Sequence, residues 1–254
     1  RMKEEDGKSL YQRVVSAQSY WPHVKAPILF LGACNDFNSP TECVVRGMGL
    51  LPASTERMLV LAPHLNHRFT ADTAAARFWW MEAHLKKSVV FPKQSKARLL
   101  LDAPDGVPRF QVKVDQSFGL PVDKVSVYYG TVRDPRIRYW RSAEISQEGN
   151  VYTGFCPIFD NGEPLFAFAN ITYRMPRTLP ARPGSAATDL LTVSSVYCSA
   201  FPDALQEAGV RSSEEPRRSR LIDDFSHGWR DWYRLSPVNR HHWFFATRKV
   251  VDPV

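Results

Sequence analysis

A chain of 254 residues with 44% apolar and 12% aromatic residues can bury a sizeable core, which excludes a disordered chain, and it lacks the run of 18 or more apolar residues that a membrane-spanning helix needs. Its net charge of +7 and pI near 9.3 are spread along the sequence, apart from Arg217, Arg218 and Arg220. No binding motif accompanies that charge, so a nucleic-acid partner is not expected. Cys34, Cys43, Cys156 and Cys198 form no C-x-x-C pair, and buried free thiols are expected in place of a zinc site.

Residues 9–20 predict a short helix. The solidly apolar run 28–33 then reads as a strand covered on both faces, as in a parallel sheet. Ser39-Pro-Thr-Glu42 has the form of a helix start, with Ser39 as cap, Pro40 at the first helical position and Glu42 three residues on, and this helix should run to about Leu50. Residues 58–62 form a second buried strand. Residues 70–87 form a second helix, capped by Thr70 or Asp72, closed by Lys86-Lys87 and presenting Phe78, Trp79, Met81, Ala83 and Leu85 as its apolar surface. Two strand-then-helix units point to an open α/β sheet, of which residues 1–92 hold only a part.

Beyond Phe91 the period changes to two. Strands are expected at 97–101, 109–114, 124–129, 138–143, 151–157 and 166–173, separated by Gly, Pro and Asp turns. Six such strands predict an immunoglobulin-like or fibronectin-like β-sandwich over residues 93–177, with Tyr139, Trp140, Phe155, Phe166 and Phe168 packed between its sheets. The Pro-, Arg- and Gly-rich stretch 174–185 reads as a linker. A strand at 190–199, a helical turn at 202–208 ended by Gly209, a polar basic stretch at 212–220 and an aromatic segment from Leu221 to Phe245 then make residues 178–254 a linker and an incomplete β-rich segment. The expected fold class is α/β followed by all-β.

Two residues stand where chemistry is usually placed on such a sheet. Asp36 follows the first strand and His67 follows the second, and loops after neighbouring parallel strands leave one edge. An imidazole titrating near neutrality can activate a serine hydroxyl, and a carboxylate can fix that imidazole's tautomer. An Asp after a strand is also a common turn-former. His64 competes with His67 as the base, and Cys34, two residues before Asp36, reads as packing. His64-Leu-Asn-His67 with Asp36 lacks a third strong ligand for zinc, and His241-His242 lie on opposite faces of any strand, so neither a metal nor another cofactor is expected. Asp224-Phe-Ser-His-Gly228 has the wrong first residue and the wrong chain order for a nucleophile elbow. Asn170-Ile-Thr172 is a glycosylation sequon.

The run Pro27-Ile-Leu-Phe-Leu-Gly-Ala-Cys-Asn-Asp36, followed by Ala62-Pro-His-Leu-Asn-His67 and Phe78-Trp-Trp-Met-Glu-Ala-His-Leu-Lys86, resembles the C-terminal third of the α/β-hydrolase fold. It is most similar to the dienelactone hydrolase, acetyl xylan esterase and prolyl oligopeptidase-like branches, over roughly residues 10–90. The resemblance implies that Asp36 is the triad acid and His67 the base, acting on a small-molecule or carbohydrate ester or on a peptide bond. It also implies an extracytoplasmic setting. The Gly-x-Ser-x-Gly elbow is not present and is expected upstream of Arg1, in a longer protein of which this chain is a fragment. Leu221 to Trp229 with Asp231-Trp-Tyr233 resembles the opening strand of a jelly-roll carbohydrate-binding module, whose aromatics form either its core or a polysaccharide platform. The alternative function is therefore a non-catalytic carbohydrate-binding or accessory protein with a degenerate hydrolase remnant.

Overall fold

The computed structural model describes residues 10–116, 118–181 and 187–212, all within one compact unit, Arg1–Glu214. Among them the protein is mostly β-strand, in one mixed and one antiparallel sheet with few helices.

The expected first helix is cut short. Residues 10–14 are helical, and two 3-10 turns, Ala17–Ser19 and Trp21–His23, follow. Extended backbone at Ser16 breaks the helix, while the Ser19 and Tyr20 hydroxyls donate to the carbonyls of Gln12 and Val14, which a continuing helix would have used.

Strand β1 (Ile28–Ala33), helix α1 (Thr41–Met48), strand β2 (Arg57–Ala62) and helix α2 (Ala71–His84) match the predicted order. The α1 start differs, because Pro40 is the cap residue and no side chain caps the helix. Glu42 is drawn into a tertiary contact instead. The buried face of α2 is Ala75, Ala76, Trp79 and Trp80, while Met81 and Leu85 are exposed.

Glu82 is also on the buried side of α2. Hydrogen bonds from Lys86 and Ser88, opposed by burial and joined by Arg177, hold its carboxyl at about 2. Since that lies below its ordinary value of 4.5, the unfolded chain binds the extra proton between these limits, and stability must rise with pH across that window. The contribution is complete above 4.5 and is lost as pH falls toward 2. Thermal unfolding of the wild type and Glu82→Gln should therefore differ near neutrality and converge on acidification. A constant gap across that range would refute the linkage.

The antiparallel strands are β3 (Lys96–Leu100), β4 (Arg109–Lys113), β5 (Val122–Gly130), β6 (Arg141–Ser142), β7 (Ile145–Glu148), β8 (Val151–Phe155), β9 (Leu165–Pro180), β10 (Ala187–Ser194) and β11 (Cys198–Ala200). β7 was not foreseen, because all four of its residues are exposed and carry no alternation. β6 is reduced to two residues because Arg138 is diverted into a loop. The expected linker is partly strand, with residues 174–180 forming the end of β9. Pro176 is tolerated there because the β9–β10 register shifts between Thr188 and Leu190, leaving a gap where no ladder donor is required. Helix α3 (Pro202–Glu207) ends as expected, with Gly209 at φ 70°.

β1 and β2 are parallel, and the sheet continues in the order β1-β2-β10-β9-β5-β6, with β11 beside β9. Strands from both sides of residue 92 thus share one sheet. The second sheet has the order β3-β4-β8-β7. One face of the large sheet, including Met58, Val60, Val127, Ala169, Ile171 and Val193, shares a core with α2 and with Phe110 and Val112 of the second sheet. The sheets meet so closely at Gly154 that a Cβ there would lie 2.7 Å from Val127 Cγ1.

The opposite face holds Leu59, Leu61, Phe166 and Phe168 against Met48, Trp140 and Tyr197. Phe166, Phe168 and Trp140 are therefore buried on the side away from the second sheet. Tyr139 and Phe155 are exposed.

A buried polar clamp joins the parallel strands to the antiparallel ones. β10 pairs with β2 at Ser194↔Leu59, and Asn170 Nδ2 donates to Leu61 O at 3.0 Å, Ser194 Oγ to Asn170 Oδ1 at 2.6 Å and Leu61 N–H to Ser194 Oγ at 2.8 Å. The sequon asparagine is thus 7% exposed, with its amide nitrogen already engaged. Asn170→Ala should lower the urea midpoint by the equivalent of about 2–3 kcal/mol without changing the slope, because buried partners are left unsatisfied. An unchanged midpoint would remove the clamp's energetic role.

Candidate active site

Because β1 and β2 run in register to Ala33↔Ala62, the loops after them leave the same sheet edge side by side. Backbone bonds tie the loops together, from Cys34 N–H to Ala62 O at 2.9 Å and from Asn35 N–H to Leu65 O at 3.0 Å. Asp36 uses both carboxylate oxygens. Oδ1 accepts from Asn38 N–H at 2.8 Å, closing a local turn, and Oδ2 lies 2.7 Å from His67 Nδ1. Turn-former and partner of a histidine are thus one residue in two roles.

Asp36 is 5% exposed, while the His67 side chain is 74% exposed. Burial pushes the Asp36 carboxyl up, but hydrogen bonds from His67, Asn38 and Ser39 and the attraction of His67 together lower it below the usual carboxylate range. An ionised carboxylate can only accept, so His67 Nδ1–H is the donor. In the neutral ring that leaves the lone pair on Nε2, which has no hydrogen-bond partner among the described residues. Asp36 thus fixes the ring through Nδ1 and leaves the Nε2 edge open to a polar group.

Backbone strain gathers at this edge. His64, His67 and Val132 lie at φ 61°, 56° and 76°, in the left-handed region that histidine enters more readily than most residues and that the β-branched Val132 enters only under strain. Among the described residues no hydrogen bond or ion pair joins His64 to Asp36. The His64 ring lies 5.2 Å from Tyr139 and 6.5 Å from Tyr128, centroid to centroid, and its partial burial lowers its pKa. Cys34 is fully buried, and desolvation raises its thiol well above the ordinary range, so it is no nucleophile. All four cysteines are free, but Cys43 is exposed.

The loop between β5 and β6, residues 131–140, walls one side of the site. Arg138 anchors it and is 2% exposed. Its guanidinium donates to Val132 O at 2.8 Å, to Arg133 O at 2.9 Å, to Glu42 Oε1 at 2.5 Å and to Tyr197 Oη at 3.2 Å, and it stacks 3.7 Å over the Phe166 ring. The Tyr197 hydroxyl donates to the same Glu42 oxygen at 2.6 Å, closing a triangle. Sequence reasoning missed Asn35, Glu42, Arg138 and Tyr197. The run Arg133-Asp-Pro-Arg136 is a turn signal that argues against a strand at 138, but Glu42 lies 96 residues away and nothing local announces the pairing.

Among the described residues no group of three or more His, Cys, Asp or Glu could hold a metal ion, and no helix is long and apolar enough to cross a membrane. Asp224–Gly228, His241, His242, the 217–220 basic cluster and the C-terminal aromatics lie outside the described residues. Comparison with protein-family models, curated proteins and solved structures finds no match.

Proposed function

We propose that Asp36 and His67 are the acid and base of a serine hydrolase of the α/β-hydrolase type, cleaving an ester or a peptide bond by acyl transfer, with its nucleophilic serine upstream of Arg1. In this reading β1, α1, β2 and α2 are the end of the hydrolase sheet, and the antiparallel strands are a sandwich-like extension of it. The carrying observation is the 2.7 Å contact between Asp36 Oδ2 and His67 Nδ1 at the shared edge of two parallel strands.

The serine oxygen attacks the carbonyl carbon while its proton passes to His67 Nε2. Asp36 stabilises the imidazolium. The same proton then goes to the leaving alcohol or amine, and a water molecule repeats the sequence to free the acid and restore the serine. A small-molecule or carbohydrate ester fits this chemistry, and the exposed Tyr139 offers it an aromatic face beside His64.

A fluorophosphonate probe offered to the full-length gene product should label one serine, and His67→Ala should abolish that labelling. Absent labelling of the wild type, or labelling undiminished in the variant, would overturn the assignment. Absent labelling together with glycan binding by the C-terminal segment would favour the non-catalytic reading.

A further inference from the structure

We infer that Asn35 is a positioning residue for the acid–base pair, and that the loop between β5 and β6, locked by Arg138, is the template against which Asn35 is held. The inference rests on the reading of Asp36 and His67 as a functional pair and concerns what keeps Asp36 in register with His67.

Three observations converge. Asn35 immediately precedes Asp36 and spends both hydrogens of its side-chain amide on the loop, donating to Pro135 O and to Arg138 O at 2.7 Å each. Those two carbonyls are presented together because Arg138 folds back on its own loop, bonding Val132 O and Arg133 O, while Glu42 and Tyr197 hold its head from α1 and from the segment between β10 and β11. The backbone at Val132 is held at φ 76°, a conformation a β-branched residue adopts only when its surroundings over-determine it.

The alternatives for Asn35 are weaker. Its backbone N–H already serves Leu65 O, so the side chain is not needed to close the β1 loop onto the β2 loop. Its Oδ1 is buried without a hydrogen-bond partner among the described residues, a cost that a merely space-filling residue would not carry. What the amide does achieve is to fix the chain direction at the residue before the carboxylate. A one-residue lever of this kind sets where Oδ2 stands relative to Nδ1, and displacements well under an ångström decide whether that bond forms.

The test reads the imidazole directly and needs no substrate. In the 254-residue chain, long-range proton–nitrogen NMR at alkaline pH reports which nitrogen of neutral His67 carries the proton. The wild type should be mainly the Nδ1–H tautomer, and Asp36→Asn should lose that preference.

Asn35→Ala should reduce the ratio of Nδ1–H to Nε2–H by about fivefold, the equivalent of one lost hydrogen bond. Arg138→Lys should reduce it as well, because a lysine keeps the charge facing Glu42 but cannot reach two loop carbonyls at once. Ser194→Ala, which loosens the sheet junction without touching the loop, should leave the ratio unchanged. A wild-type ratio in Asn35→Ala, with the preference lost in Asp36→Asn, would overturn the inference while sparing the pair. So would an equal fall in Ser194→Ala, which would mark the effect as general loosening. A wild type with no tautomer preference would overturn both.

Discussion

On the proposed function, His67→Ala in the full-length gene product is expected to lower kcat for hydrolysis of an activated acyl ester by about 10⁴-fold or more, with KM nearly unchanged. The magnitude follows from the role proposed for the imidazole. At neutral pH a serine hydroxyl is almost entirely protonated, and removing its base leaves only the polarisation of the carbonyl and the positioning of the substrate. KM should hold because the ring touches the transferred proton more than the bound ester.

Asp36→Asn should cost a similar factor by a different route, since an amide can donate to Nδ1 and so stabilise the unproductive tautomer. The double variant should be little worse than either single one, as expected when two groups act as a unit. Additive losses would mean that the two residues act independently, and a kcat untouched by either substitution would mean that the 2.7 Å contact is only structural.

Arg138→Met is expected to destabilise the fold by about 3 kcal/mol, the low end of the range for breaking a buried ion pair. The low end applies because the two partners differ in exposure: the Arg138 side chain is fully buried, but Glu42 is 33% exposed and regains water when its partner is lost. Methionine keeps most of the buried volume, so the loss reports the guanidinium's bonds to Val132 O, Arg133 O, Glu42 and Tyr197 more than a cavity. For a unit of this size the melting temperature should fall by roughly 6–12 °C. Combining Arg138→Met with Glu42→Gln should cost less than the sum of the two, and strict additivity would show that the ion pair is not the source. A melting temperature unchanged by Arg138→Met would remove Arg138 as the anchor of the loop.

The parts of the structure that could be read in advance share one property, which is that their determinants are local. The runs at 28–33 and 58–62 carry no polar side chain because both faces of those strands are covered, in β2 by α1 against Leu59 and Leu61 and by α2 against Met58 and Val60. Gly209 ends α3 because the backbone there needs positive φ. Alternation located β4, β5, β8 and the first half of β9.

The misreadings occur where distant groups prevail. Glu42 looks like half of a capping box, yet its carboxylate gains more from Arg138 and Tyr197. Met81 and Leu85 look like a helix face, yet the large sheet meets α2 through Trp79, Trp80 and the small residues Ala75 and Ala76. Residues 174–180 look like a linker, yet β10 pairs with them and places the proline at the register shift.

The closeness of Asp36 and His67 was legible from chain order, because each follows a buried strand and parallel neighbours end at a common edge. Which histidine, which oxygen and which tautomer were matters of angle and distance, and those follow from the left-handed turns at residues 64 and 67 and from the burial of Asp36. The loop anchored by Arg138 could be seen only in three dimensions. Its contacts span 59 residues to Tyr197, 96 to Glu42 and 103 to Asn35. Propensity and periodicity act over a few residues, whereas a buried cation is satisfied by whatever the completed fold brings within reach.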